Sequence, residues 1–335
     1  MKKTALILLI IFVTEISICS AGTTVGFLVP VSGLGDHSFN DMTYAGLIRA
    51  KNMYHFELIR QQCIDSRSEN HGKAMEKLIE QQADIIITNG WEFTDVVKEY
   101  AVKYPDRFFI LNDFPLAGFP NVISNVFAQH EGSFLAGALA AWTTTTGKIG
   151  FIGGRDMPVI RSFLTGFRDG VAYTGNDIEM HTIFLSGEND QSSGFDNPEQ
   201  GRLQAEALYN EGVDIIFSVA GLSGNGIIRA AADTKNFVIG VDADQDYMAK
   251  GYVLTSVIKR LDLAVLKSLH TLFEGDSSPG IYTFGLREGG VSLSPMTYTR
   301  HLLPEETIKK VAHLRDLIIA GEINVTNILD SDITP

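Results

Sequence analysis

The sequence predicts an α/β protein built as two doubly wound parallel-sheet lobes joined by a three-crossing hinge. Three observations lead there. Short apolar runs alternate with helix-period segments along most of the chain, the runs are continuous rather than alternating in polarity, and their rhythm restarts near Lys148. A strand buried on both faces reads as an unbroken apolar run, and crossover helices place it in a parallel sheet. About nine such strands exceed the five or six that one sheet holds comfortably, so two sheets are expected.

Residues 1–21 have the form of an export signal, with Lys2 and Lys3 ahead of an apolar run from Ala5 to Val13 and small residues around Cys19. The run is too short to span a membrane. Ile16-Ser17-Ile18-Cys19 offers Cys19 as a lipid anchor, although Ile18 is bulky for such a site, and cleavage after Ala21 is the competing reading. The strand TVGFLVP (24–30) then runs into GLGDHSFND (33–41). Gly33 and Gly35 there allow a tight turn, Asp36 and Ser38 supply polar groups at a helix start, and Phe39 and Asn40 project from a strand's carboxyl end. An ordinary capping loop with Phe39 in the core is the plain alternative.

FELIRQ (56–61), DIIITNG (84–90) and RFFILND (107–113) follow as strands, and a helix over 129–145 closes the first series at the threonine tract 143–146. The second series is KIGFIGG (148–154), HTIFLSG (181–187), DIIFSVAG (214–221), FVIGVDAD (237–244) and YVLTSVIK (252–259), with a helix at 198–211. IYTFGLREGGVSLS (281–294) reads as extended segments around Gly289-Gly290, and a last helix starts near Pro304 and ends about Ala320. The expected lobes are 22–127 plus 260–290 and 128–259 plus 291–325, with crossings at 125–129, at 255–260 and before the last helix.

Lys and Arg number 27 against 40 Asp and Glu, a net charge of −13; without the signal the balance is 25 against 39, or −14. That sign disfavours nucleic acid and anionic membrane surfaces. Once Cys19 is acylated or removed, Cys63 is the sole thiol, so no intramolecular disulfide forms and the core must hold itself. A mature chain of roughly 310 residues fits two domains of ordinary size.

Catalytic patterns are sparse. The eight histidines are scattered without metal-site spacing, no Gly-x-Ser-x-Gly elbow occurs, and GLSGNG (221–226) has its glycines in the wrong order for a dinucleotide loop. No cofactor, no metal and no enzymatic activity are therefore expected. His37 beside Asp36 keeps one enzymatic alternative open, a nucleoside hydrolase, and a surface-displayed adhesion lipoprotein is another.

What the strand ends carry is unusually polar: Asp36, Phe39 and Asn40; Asn89 and Trp91; Asn112 and Asp113; Gly153, Gly154 and Arg155; Gly221; Asp242 and Asp244; Lys259. If both lobes turn these ends to one cleft, they meet a small uncharged ligand with hydroxyls, ring nitrogens and a flat face, which is nucleoside or sugar chemistry. Asp242 also reads as a strand-end cap or an ion-pair partner of Lys259, and Trp91 as a surface aromatic.

The motifs GLGDHSFND (33–41), ITNGW (87–91), ILND (110–113), VAGLSGNG (219–226), IGVDADQ (239–245), TSVIKR (255–260) and GLREGGVSL (285–293) together resemble the basic membrane protein family. Those proteins are substrate-binding lipoproteins of ABC importers and include the purine nucleoside receptor of spirochaetes. The resemblance covers the mature chain and implies a fold similar to type I periplasmic binding proteins, closing on a purine nucleoside for an ABC permease. It also implies a monomer on the periplasmic side of the cytoplasmic membrane, anchored at Cys19. Carried onto these residues, Phe39 and Phe195 stack on the two faces of the base, while Phe217 belongs to the core. Asp113 and Asn40 meet the base edge, Asp242 holds the ribose hydroxyls, and Lys259 neutralises part of the Asp242 charge and contacts the sugar. Asp36, Asn89, Trp91 and Gly221 complete the expected ligand-binding set. His37 stands where many members of the family have Lys.

Overall fold

The computed structural model describes residues 22–329 apart from 66, 188–189, 191–192 and 276–277, so the signal segment and Cys19 lie outside the described residues. Strands and helices alternate from the start: β1 (Thr24–Val29), α1 (Phe39–Tyr54), β2 (Glu57–Gln62), α2 (Ser68–Glu80), β3 (Ile85–Asn89), α3 (Thr94–Lys103), β4 (Phe108–Asn112) and β5 (Val122–Phe127). The second series is α4 (Gln129–Thr143), β6 (Lys148–Arg155), α5 (Pro158–Tyr173), β7 (Glu179–Ser186), α6 (Pro198–Asn210), β8 (Ile215–Val219), α7 (Leu222–Thr234), β9 (Phe237–Asp242) and β10 (Val253–Lys259). The chain finishes with α8 (Leu261–Phe273), β11 (Gly280–Phe284), β12 (Val291–Leu293) and α9 (Glu305–Ala320).

Two six-stranded sheets result, ordered β11-β5-β4-β3-β1-β2 and β12-β10-β9-β8-β6-β7. All pairings are parallel except the short antiparallel β12 against β10. The central strands β1, β3 and β8 are buried at every position, whereas β2, at a sheet edge, is partly or fully exposed along its length. This is the expected two-lobed α/β architecture.

One strand had no counterpart in the sequence reading. VISNVF of β5 is broken by Ser124 and Asn125, which made the stretch look like a crossing rather than a strand. Both are fully buried, and both are satisfied. Ser124 Oγ bonds the Leu116 N–H at 3.1 Å, and the Asn125 amide donates to Asn112 Oδ1 at 2.8 Å and to Ser268 Oγ at 3.0 Å. A buried polar side chain is tolerated when its hydrogen bonds are made.

Phe217, read as core, is fully buried among Phe151, Phe163 and Phe167, with ring centroids 5.6, 6.2 and 5.1 Å away. Helix ends follow local chemistry. Asn197 caps α6 by accepting the Gln200 N–H at 3.0 Å with Pro198 in the first turn, and Gly321 at φ 78° ends α9.

Three passages join the sheets: β5 into α4, β10 into α8, and β11 towards β12. They are laced to one another. The Ala128 N–H donates to the Phe284 carbonyl at 3.0 Å, the Arg260 N–H to the Gly290 carbonyl at 2.8 Å, and the Leu286 N–H to Glu131 Oε2 at 2.7 Å.

Helices α4 and α5 lie so close that a Cβ on Gly137 would strike the Phe167 carbonyl and one on Gly170 the Phe134 carbonyl. Overpacking there should cost about 1–3 kcal/mol or more. Gly72, in α2, has open space at its Cβ position and no unusual φ, so alanine there should stabilise by about 0.5–1 kcal/mol. Urea midpoints are expected to fall for Gly170→Ala and rise for Gly72→Ala at unchanged slope; equal midpoints for the two variants would refute the close-packing account.

Candidate ligand-binding site

The carboxyl ends of β1, β3 and β4 face those of β6, β8, β9 and β10 across a cleft that opens to solvent and encloses about 100 Å³. Asp36, Phe39, Asn40, Asn89, Trp91 and Asp113 line it from the first lobe, and Phe195, Gly221, Asp242 and Lys259 from the second. All ten residues of the expected ligand-binding set meet in this one space, whereas Asn112, Gly153, Gly154, Arg155 and Asp244, also read at strand ends, do not line it. Their individual roles differ from residue to residue.

Asp36 is occupied locally. Its two oxygens accept the backbone N–H groups of Ser38, Asn40 and Asp41 at 3.0, 2.8 and 3.1 Å, so it caps the first turn of α1, as the plain reading of the loop had it. Burial nevertheless raises it above the usual carboxylate range, with those three hydrogen bonds opposing the rise.

Asn40 and Asn89 belong to a run of asparagine amides along the strand tips. Asn125 donates to Asn112 at 2.8 Å, Asn112 to Asn89 at 2.9 Å, and Asn89 to Asn40 at 3.3 Å. Asn40 uses both amide hydrogens on Ser32 Oγ and the Gly33 carbonyl, at 3.0 and 2.8 Å, leaving it only acceptor capacity towards a ligand.

Lys259 was expected to neutralise part of the Asp242 charge, and its charge does act on that carboxylate. The ion pair with Asp242 that the plain reading offered is not formed: the ammonium bonds Asp113 Oδ1 at 2.5 Å, across the gap between the lobes, with both side chains buried. Strand register explains this. Asp242 on β9 stands opposite Ile258 on β10, and the next residue, Lys259, turns to the other side. The ammonium also sits 5.4, 5.2 and 5.3 Å from the ring centroids of Phe39, Phe127 and Phe163. Asp242 instead accepts the Ser38 hydroxyl at 2.5 Å, again between lobes. Burial pushes Asp242 up to about 6, and the more distant Lys259 charge opposes this. Burial also raises Asp113, with its lysine partner pulling it back.

Phe39 and Phe195 are both half-buried at the cleft wall. Phe195 lies on bare backbone: a Cβ on Gly154 would collide with its ring, and one on Gly221 would lie in contact with the Phe195 Cβ at 3.5 Å. Trp91 is 43% exposed at the mouth, where the Arg155 guanidinium from the second lobe stands 6.0 Å from its ring centroid. Further contacts close the lobes on the far side. Gln245 donates to the His37 carbonyl at 3.1 Å, Tyr247 OH meets His37 Nδ1 at 2.8 Å, and Asn225 donates to the Gly35 carbonyl at 3.4 Å. His37, Asp113 and Asp242 all hold left-handed backbone, at φ 51°, 71° and 64°, a conformation uncommon outside glycine and often found at binding sites.

Sequence reasoning missed Glu92 and the segment from Met157 to Phe163, of which Met157, Val159, Ile160 and Phe163 line the cleft. The strand tips had been read only as far as Trp91 and Arg155, and the signal lay in the residues just beyond. Burial pushes Glu92 up to about 7, and Arg155 opposes the shift.

Removing the ammonium by Lys259→Met strands a buried carboxylate, which should cost about 3–5 kcal/mol of stability. Adding Asp113→Asn should restore much of that loss, a non-additivity that chemical denaturation of the single and double variants reads directly. Strict additivity would mean that the two groups do not act as a pair.

The family described as ABC transporter substrate-binding protein, PnrA-like (Bmp), matches residues 23–328. Basic membrane protein A of Borreliella burgdorferi is 31% identical over 341 residues, covering 97% of this chain and 96% of that protein. An uncharacterised lipoprotein of Pyrococcus abyssi is 29% identical over 312 residues, covering 88% of this chain and 74% of the relative. Among solved structures, an ABC transporter solute-binding protein from Aeropyrum pernix superposes with a TM-score of 0.82 at 27% identity, over 92% of this chain and 95% of that one.

Proposed function

The chain belongs to the Bmp family of PnrA-like ABC transporter substrate-binding proteins, and from that membership we propose that it captures one purine nucleoside between its lobes and delivers it, closed, to an ABC permease. Solute binding is the family's role. The nucleoside reading rests on a single observation: half-buried Phe39 and Phe195, from opposite lobes, line the same cleft as Asp113 and Asp242. Two aromatic faces suit a flat base, each stack contributing about 1–3 kcal/mol. Hydroxyls donating to a carboxylate contribute roughly 1.5–3 kcal/mol per bond, which suits the ribose diol at Asp242. Together these offset the cost of association and reach micromolar affinity or better, about −8 kcal/mol.

No covalent step enters this mechanism. Ligand that touches both lobes favours the closed state over the open one, and the permease distinguishes the two shapes. In this reading the protein is exported, works as a monomer and is held on the outer face of the cytoplasmic membrane by a lipid on Cys19. No helix among the described residues is long and apolar enough to cross a membrane.

The decisive experiment is calorimetric titration of the mature protein with inosine, guanosine and adenosine, with the nucleoside recovered afterwards. Saturable binding, a raised melting temperature and intact nucleoside support the receptor. Release of free base would favour a hydrolase instead, and absence of binding would reject the nucleoside.

Asp242→Ala should weaken nucleoside binding by about ten- to a hundredfold, roughly 1.5–3 kcal/mol, and free-base binding much less. Equal losses for both would remove the ribose role. A carboxylate that gains donors from the ligand binds its proton more weakly in the complex, so affinity should be full near pH 7.5 and fall as pH drops through about 6, the value to which burial raises Asp242. Asp242→Asn should flatten that profile, and a slope that persists in this variant would assign the titration to another group.

A further inference from the structure

The cleft does not end at Asp113. A second cavity, of about 250 Å³, adjoins it, and Trp91, Asp113, Met157 and Val159 line both spaces. The two differ in chemistry. Asp36, Glu92, Asp113 and Asp242 line the cleft, whereas the annex shares Asp113, adds Arg155 and Asp156 on one side, and is otherwise walled largely by Phe114, Pro115, Val126, Phe127, Pro158 and Leu329. Gln129, at the start of α4, also lines the annex; it is fully buried, and neither its amide nitrogen nor its amide oxygen has a hydrogen-bond partner among the described residues.

Asp113 stands at the junction, and in the nucleoside reading it faces the edge of the base. A group attached to that edge therefore leaves the base in the direction of the annex. A site closed at this point rejects an enlarged base, because the added atoms collide with its wall or lie against buried charge. Here the space beyond the edge is open and apolar.

We propose that this protein takes purine nucleosides whose exocyclic amine carries an apolar substituent, with the substituent housed in the annex between Phe127 and Val159. The proposal rests on the nucleoside reading of the cleft and extends it to a class of modified ligand.

The test is titration of the mature protein with two pairs of ligands, adenosine against N6-benzyladenosine and guanosine against N2-benzylguanosine. It is repeated on Thr283→Trp and on Pro158→Trp. Both positions are exposed and line the annex but not the cleft, one on β11 and one at the start of α5, so indole there fills the annex from either lobe. At least one benzylated ligand should bind within about tenfold of its parent, and both variants should weaken that ligand at least about tenfold while leaving the parent unchanged. The proposal is overturned if both benzylated ligands bind more than about a hundredfold below their parents, or if the variants weaken parent and derivative alike. Failure of both parents to bind wild type is a separate result, which overturns the nucleoside reading and the annex proposal with it.

Discussion

The buried bond between Lys259 and Asp113 is the constraint on which the closed arrangement depends. Its partners come from different sheets: Lys259 ends β10, and Asp113 follows β4. Withdrawing two charges from water costs several kcal/mol per ion, and attraction in a low dielectric repays this only when the geometry is good. A pair of this kind adds little net stability over an apolar pair of the same size. What it supplies is selection, since only one relative placement of the lobes brings ammonium and carboxylate together. If the lobes part, as the proposed capture mechanism requires, water reaches both groups and the requirement vanishes. Two states of similar free energy, each internally consistent, are what a small ligand needs in order to shift a population.

Burial works against charge on the carboxyl groups that line the cleft. Burial raises Asp36, Glu92, Asp113 and Asp242 above the ordinary carboxylate range. A carboxyl with a raised folded-state pKa keeps its proton in the folded chain after the unfolded chain has lost it, so its contribution to stability declines as pH rises from about 4 through about 6 for Asp242 and about 7 for Glu92. Left-handed backbone at Asp113 and Asp242 adds about 1–3 kcal/mol of local strain at each position. These costs fall on the residues that face the cleft from opposite lobes, where donors from a ligand would relieve them.

Much of this was legible in the chain. Continuous apolar runs such as DIIFSVAG name strands buried on both faces, and the restart at Lys148 names a second sheet. The polar residues that end those runs fall in one cleft because parallel strands all deliver their carboxyl ends to the same edge. Other features were hidden for a physical reason. β5 escaped notice because Asn125, one link in a run of amides from four separate segments, looks like a loop residue until its neighbours are in place. Lys259 was given the nearer acidic partner in the fold's second half, since nothing local reveals that β10 turns it across the gap to Asp113. Asn40 and Asn89 carried the right chemistry for a ligand, yet their hydrogen bonds are committed largely to holding the strand tips together.

The order in which the strands complete the two sheets bears on how such a chain matures. β11, residues Gly280–Phe284, supplies the outer edge of the first sheet, and β12, residues Val291–Leu293, the outer edge of the second. Synthesis must therefore pass residue 284 before the first sheet has all its strands, and residue 293 before the second has, however early β1 emerged. Contacts that span so much sequence form late and slowly. Neither sheet can close while most of the polypeptide is being made, so the compact state is postponed to the end of synthesis.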